Sequence, residues 1–183
     1  MGLANKITIV RILLVPFLLA SLIYYSSAND YLRYIALAIF LACGLTDAID
    51  GYIARKFYQK TKLGKMLDPL ADKILILTAF LSLSILENIP AASRIPPWLT
   101  VIVFSRDIII LLGSLLIFIM SKELNVKPSI LGKLTTVLQM AAVVAALLGL
   151  DSRVLIWHVT AFLTIASGLG YVWYGTKELN EPR

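Results

Sequence analysis

The chain has 183 residues, 59% of them hydrophobic, and a formal net charge of +6; its mean hydropathy is +0.85. Soluble domains run nearer about 45–50% apolar, so a chain of this size cannot hide its apolar surface in one water-facing core, which excludes an ordinary soluble domain and leaves an integral membrane protein. No nucleic-acid motif is present, and the basic excess fits a surface facing anionic lipid headgroups.

A spanning helix takes roughly 20 apolar residues. The expectation is therefore an all-α, polytopic integral membrane protein of six transmembrane helices in a single membrane domain, residues 1–183. The first span covers 7–25. Lys6 and Arg11 before an apolar run, and Ser26 to Ala28 after it, resemble a signal peptide with its cleavage site. The run is nonetheless long enough to span. The second span, 32–55, holds the sole cysteine, Cys43, in "LAIFLACGL"; it has no disulfide partner and reads as packing. A basic loop, "KFYQKTKLGK", leads to the third span, 66–86. Pro69 biases Asp68 away from the α region, so this helix is expected to begin near Asp68 or to be distorted there. The remaining spans are 98–120, 130–150 and 154–174, punctuated by turn residues at Asn29-Asp30, Pro96-Pro97, Asn125, Pro128 and Asp151-Ser152.

Most Lys and Arg fall before span one, between spans two and three, between four and five, and after six; the opposite loops carry little beyond Arg33, Arg94 and Arg153. That alternation predicts both termini in the cytoplasm, in a cell (plasma or inner) membrane. Trp98, Trp157, Tyr24 and Tyr25 fall near span ends, where aromatic rings anchor or pack. His158, the only histidine, reads as an interface residue beside Trp157.

The segment 47–73, "DAIDGYIARKFYQKTKLGKMLDPLADK", stands at the cytoplasmic ends of spans two and three. Asp47 and Asp50 are three apart and share a helix face, continued by Gly51 and Ala54, with Arg55 just after. Gly64, Asp68 and Asp72 are spaced by four and share another. Four carboxylates in one dry place repel unless protonated or bound to cations. Hard divalent ions such as Mg²⁺ or Mn²⁺ choose carboxylate oxygens, and a pair of them clamps a phosphate under displacement. Gly51 and Ala54 leave a shallow floor, and Arg55 offers a fork for phosphate oxygens. The competing reading is a set of solvated charges at helix ends, paired with lysines; Lys73 fits snorkelling or pairing with one of the aspartates.

The pattern D-x2-D-G-x2-A-R-x8-G-x3-D-x3-D, formed here by Asp47, Asp50, Gly51, Ala54, Arg55, Gly64, Asp68 and Asp72, resembles the signature of the CDP-alcohol phosphatidyltransferases without a mismatch. The resemblance implies that family's fold: a six-helix membrane enzyme, expected as a homodimer, that displaces CMP from a CDP-linked lipid and joins the remaining phosphate to an alcohol. It implies two ions, Mg²⁺ or Mn²⁺, held by Asp47, Asp50, Asp68 and Asp72, with Asp72 as general base. Gly51, Ala54, Arg55 and Gly64 would line the CDP site, and CDP-diacylglycerol and membrane lipids would be the partners. Gly168-Leu169-Gly170 is read as helix packing.

The acceptor is less sharply written. Asn5, Thr8 and Arg11 resemble the N-x2-T-x2-R opening of bacterial phosphatidylglycerophosphate synthases, either closing over the site or anchoring span one. Arg106, Lys133, Thr136 and Gln139 match that group's R-E and G-K-x-K-T-x-x-Q; Asp107 replaces its Glu and Thr135 its second Lys. Arg106 and Lys133 would receive glycerol 3-phosphate, although the lost cation weakens a site for a dianion. "SRD" and the single Lys are also similar to the family's cardiolipin synthases, whose acceptor is phosphatidylglycerol. Arg106-Asp107 is alternatively a structural pair within span four, although intramembrane charge points first to function. A small cation transporter is the remaining alternative; acids at the helix ends and the absence of a repeat count against it.

Overall fold

The computed structural model describes the backbone of residues 3–57, 62–121 and 130–180, and the side-chain surroundings of 9–46, 73–113, 130–173 and 176. Among these residues there are six α-helices, two 3₁₀ turns and no strand. The helices are α1 (Leu3–Ile23), α2 (Tyr31–Phe57), α3 (Lys62–Ile85), α4 (Pro97–Ser121), α5 (Ile130–Leu148) and α6 (Arg153–Asn180). Each expected span is met by one of them. Three stretches, Ala91–Gly113, Ile130–Leu148 and Arg153–Trp173, are long and apolar enough to cross a membrane; Ile9–Ile23, Tyr31–Thr46 and Lys73–Ile85 are shorter apolar helices. The protein is a membrane protein.

The sequence expectation differs from the structure at Pro69. α3 begins at Lys62 and stays helical past Asp68 and Pro69, just as α1 carries Pro16 within its length. Proline in a helix interior forfeits one backbone hydrogen bond, a loss that membrane helices tolerate because neighbouring groups re-satisfy the freed carbonyl.

The chain divides into two compact units, Met1–Ile95 with Val143–Leu150, and Pro96–Ala142 with Asp151–Arg183. In the first unit α1 packs against both α2 and α3. Its inward stripe is Arg11, Val15, Leu18 and Leu22, all buried, while Val10, Leu13 and Phe17 are exposed as lipid-facing residues are. α2 answers with Ala36, Phe40 and Cys43, and α3 with Leu75, Ile76, Ala79, Phe80 and Leu83. In lipid no hydrophobic force drives helices together; close packing and hydrogen bonds hold them instead.

Those hydrogen bonds cluster at the end of the first unit remote from segment 47–73. The Asn88 side-chain amide donates to the carbonyls of Leu22 (2.9 Å), Ile23 (3.1 Å) and Tyr25 (2.8 Å), capping α1 from the α3–α4 connection. Arg33 at the start of α2 donates to Asp30 (3.1 Å) and to Ser93 Oγ (3.3 Å), and the Tyr25 hydroxyl donates to Asp30 (3.1 Å). Arg94 donates to the carbonyls of Ile89 and Glu87. α5 ends beside this network in a Schellman turn. Gly149 stands at φ 64°, its N–H reaches Ala146 O, and Leu150 N–H reaches Ala145 O, both at 3.0 Å.

In the second unit α4 and α6 lie parallel. Trp98 meets His158 with ring centroids 5.5 Å apart. Arg106 meets Ser167, and a Cβ on Gly113 would come within 2.8 Å of the Tyr171 ring. The early turns of α5 run antiparallel to α6: Thr135 Oγ1 donates to Leu163 O (3.2 Å) and Thr160 Oγ1 to Leu138 O (3.3 Å).

Candidate active site

The two aspartate pairs stand on two helices. Asp47, Asp50, Gly51, Ala54 and Arg55 belong to α2, and Gly64, Asp68 and Asp72 to α3, both helical throughout those positions. The i,i+3 and i,i+4 spacings are therefore spacings on helix faces. The buried stripe of α2, through 36, 40 and 43, continues by helical periodicity to positions 47, 50 and 54. That of α3, through 83, 79 and 75, continues to 72 and 68. The side chains at 47–72 lie outside the described residues, and with them the metal, base and CDP-site assignments.

Two neighbours of this segment are described. Arg11 was open to two readings, one of them an anchor among headgroups. It is 1% exposed and heads the inward stripe of α1, so it faces protein. On the α2 stripe Cys43 stands one turn before position 47. Cys43 itself is fully buried, in a packing role. Lys73 is half-buried with its Nζ out of contact with solvent, which sets aside snorkelling.

The acceptor-side residues lie in the second unit. Arg106 and Asp107 are 9% and 7% exposed. Arg106 Nη1 donates to Asp107 Oδ1 at 2.8 Å, and Nη2 donates to Ser167 Oγ at 3.0 Å. Neighbours at i,i+1 on a helix do not naturally face each other, so the guanidinium turns aside to reach both groups. The pair does exist, as the structural alternative holds, yet it leaves Arg106 Nε buried without a partner. Ser167 was absent from the sequence reading, because a lone serine in an apolar run carries no pattern. Gly168 packs, as its sequence context predicts: its missing Cβ leaves room for Arg106 Cγ, 3.5 Å away. Gly170 has nothing comparable within 4 Å.

Depth along the helices sorts the α5 motif. Extending the Thr135–Leu163 and Leu138–Thr160 pairings by one turn sets Lys133 within about 3 Å, along the axis, of the level of Ser167 and hence of Arg106. Lys133 is exposed. Thr136 spends its hydroxyl on Gly132 O at 3.2 Å within its own helix. Gln139 lies about 9 Å further along α5, is 1% exposed, and has no partner for Nε2. The motif is thus one cation at the depth of Arg106 and one amide well past it. Thr135 is fully buried, bonding Leu131 O (2.8 Å) and Leu163 O; the position that carries a second lysine in the matching group here faces α6. His158 is exposed, bonded to Val154 O and tilted against Trp98. Trp157 is 7% exposed, with the Arg153 guanidinium 6.0 Å from its ring centroid, so it packs.

Comparison with known proteins decides the family. The model of the CDP-alcohol phosphatidyltransferases matches residues 1–169. The chain belongs to this family. It is an enzyme of the family's type, which removes the transporter alternative. It is similar to the CDP-diacylglycerol--glycerol-3-phosphate 3-phosphatidyltransferase of Aquifex aeolicus, with 35% identity over 136 residues covering 74% of this chain and 70% of that protein. The protein of the same name from Rickettsia typhi is 34% identical over 180 residues, covering 93% and 94%. A third phosphatidyltransferase, the human "Cardiolipin synthase (CMP-forming)", is 35% identical over 196 residues, covering 94% of this chain and 61% of that protein.

Proposed function

We propose that this enzyme transfers the phosphatidyl group of CDP-diacylglycerol to sn-glycerol 3-phosphate, giving phosphatidylglycerophosphate and CMP. It works as one catalytic domain, residues 1–183, in a homodimer within the cell membrane, with its site and both termini on the cytoplasmic side. The observation that carries the reading is the unbroken helicity of α2 and α3 through the eight motif positions, with buried stripes leading to the aspartates.

The motif's donor set is purely carboxylate oxygen, without His or Cys, and so fits a hard divalent ion. Asp47, Asp50, Asp68 and Asp72 would hold two ions, Mg²⁺ or Mn²⁺, which when bound neutralise the diphosphate and stabilise the departing CMP. Gly51, Ala54 and Gly64 leave room for the cytidine diphosphate beside the backbone, and Arg55 grips phosphate oxygens. The acceptor hydroxyl attacks the phosphatidyl phosphorus, the bond to CMP oxygen breaks, and Asp72 accepts the hydroxyl proton. Arg106 and Lys133, at one depth, receive the acceptor's phosphate.

One observation favours phosphatidylglycerol as acceptor instead, which would make the product cardiolipin: Thr135 is buried against α6 and supplies no second cation. A single experiment separates the two. Purified enzyme is given CDP-diacylglycerol, Mg²⁺ or Mn²⁺, and each acceptor in turn. CMP release with glycerol 3-phosphate supports the first reading; release with phosphatidylglycerol alone replaces it with the second.

A further inference from the structure

A buried guanidinium with one nitrogen left without a hydrogen-bond partner is an unfinished arrangement. Arg106 is nine-tenths buried. Two of its three nitrogens are committed, Nη1 to Asp107 and Nη2 to Ser167, and Nε is not. A buried charged donor without an acceptor is costly, and so is a cation held within an apolar span. A site that tolerates both is shaped for a ligand that completes it. Asp107 offsets the charge but uses one edge of the guanidinium only. Ser167 fixes a second point, and two fixed points set the plane of the fork. Gly168 supplies the space: the Arg106 chain lies over it, Cγ 3.5 Å from where a Cβ would stand. α6 therefore provides both a notch and a peg for one side chain on α4, at the depth of Lys133.

We propose that Ser167, seated beside the Gly168 notch, is a positioning residue: it orients the Arg106 guanidinium so that its unpartnered Nε–H faces the acceptor's phosphate. This rests on the reading above, in which Arg106 and Lys133 receive that phosphate. Ser167 touches no substrate; it acts through Arg106, and its loss lets the fork rotate onto Asp107 rather than removing a charge.

The test uses the full-length enzyme in mixed micelles, with whichever acceptor supports CMP release. Ser167→Ala is expected to raise the KM for acceptor about tenfold and to leave the KM for CDP-diacylglycerol unchanged. Ser167→Thr, which keeps the hydroxyl, is expected to restore the acceptor KM. Gly168→Val crowds Arg106 Cγ while leaving the hydroxyl, and is expected to reproduce the selective rise, so the inference does not depend on one variant folding. In an Arg106→Gln background, where KM has already risen, Ser167→Ala should add little. An unchanged acceptor KM in Ser167→Ala, or equal rises for both substrates, or no recovery with Thr, overturns the positioning role while Arg106→Gln still reports on the acceptor site. An unchanged acceptor KM in Arg106→Gln overturns the acceptor reading itself, and the inference falls with it.

Discussion

At the scale of single residues, polar groups that look alike in the sequence do different work. Asp72 is proposed to help hold the ions and to take the acceptor's proton. Asp72→Asn keeps its size and removes its basicity, so CMP release should fall by roughly 10²–10⁴-fold while the protein elutes from gel filtration and melts as wild type does. Asn88 has a role only in structure: it caps three carbonyls at the end of α1. Asn88→Ala should lower stability by about 1–3 kcal/mol, seen as an earlier thermal transition in detergent, with the KM for CDP-diacylglycerol unaltered. The motif carried Asp72 plainly into the sequence reading, since eight spaced positions are hard to meet by accident. Nothing in the sequence pointed to Asn88 or Ser167. Their partners are 63–66 and 61 positions away in the chain, and a single polar residue has no period by which to be noticed.

Among the elements, the helices themselves were legible, because runs of apolar residues of membrane length admit little else. Their ends were less so. The fifth span was expected to reach 150, but the helix stops at Leu148, where Gly149 takes a left-handed conformation that closes the Schellman turn. Gly149→Ala should therefore cost about 1–2 kcal/mol in thermal unfolding without changing kcat. The α4–α6 contact depends on Gly113, where an added Cβ would press to 2.8 Å of Tyr171 Cε1. Gly113→Val should destabilise by about 1–3 kcal/mol through overpacking, measurable in the same assay. Proline misled in the other direction. Pro69 reads as a boundary in a water-soluble helix, whereas α3 runs through it, since a helix in lipid gains more by staying hydrogen-bonded elsewhere than by breaking.

For the whole molecule, the proposed reaction depends on divalent ions. Chelation of divalent ions by EDTA should abolish CMP release, and Mg²⁺ or Mn²⁺ should restore it, with an aspartate-only donor set favouring these over Zn²⁺; release that survives chelation would remove the ions from the reaction. The sequence by itself determined that the chain is a helical membrane protein and that it carries its family's eight-position signature. Hydropathy and local spacing are properties of contiguous residues, so they survive without a fold. Only the tertiary structure decided which polar side chains meet: Arg106 with Ser167 over the Gly168 notch, Lys133 at their depth but Gln139 well beyond it, Thr135 turned into α6, and Arg11 turned inward rather than toward headgroups. In lipid every face of a helix is apolar, so the hydrophobic pattern that reveals the inward face of a soluble helix is silent here, and packing alone selects the contacts.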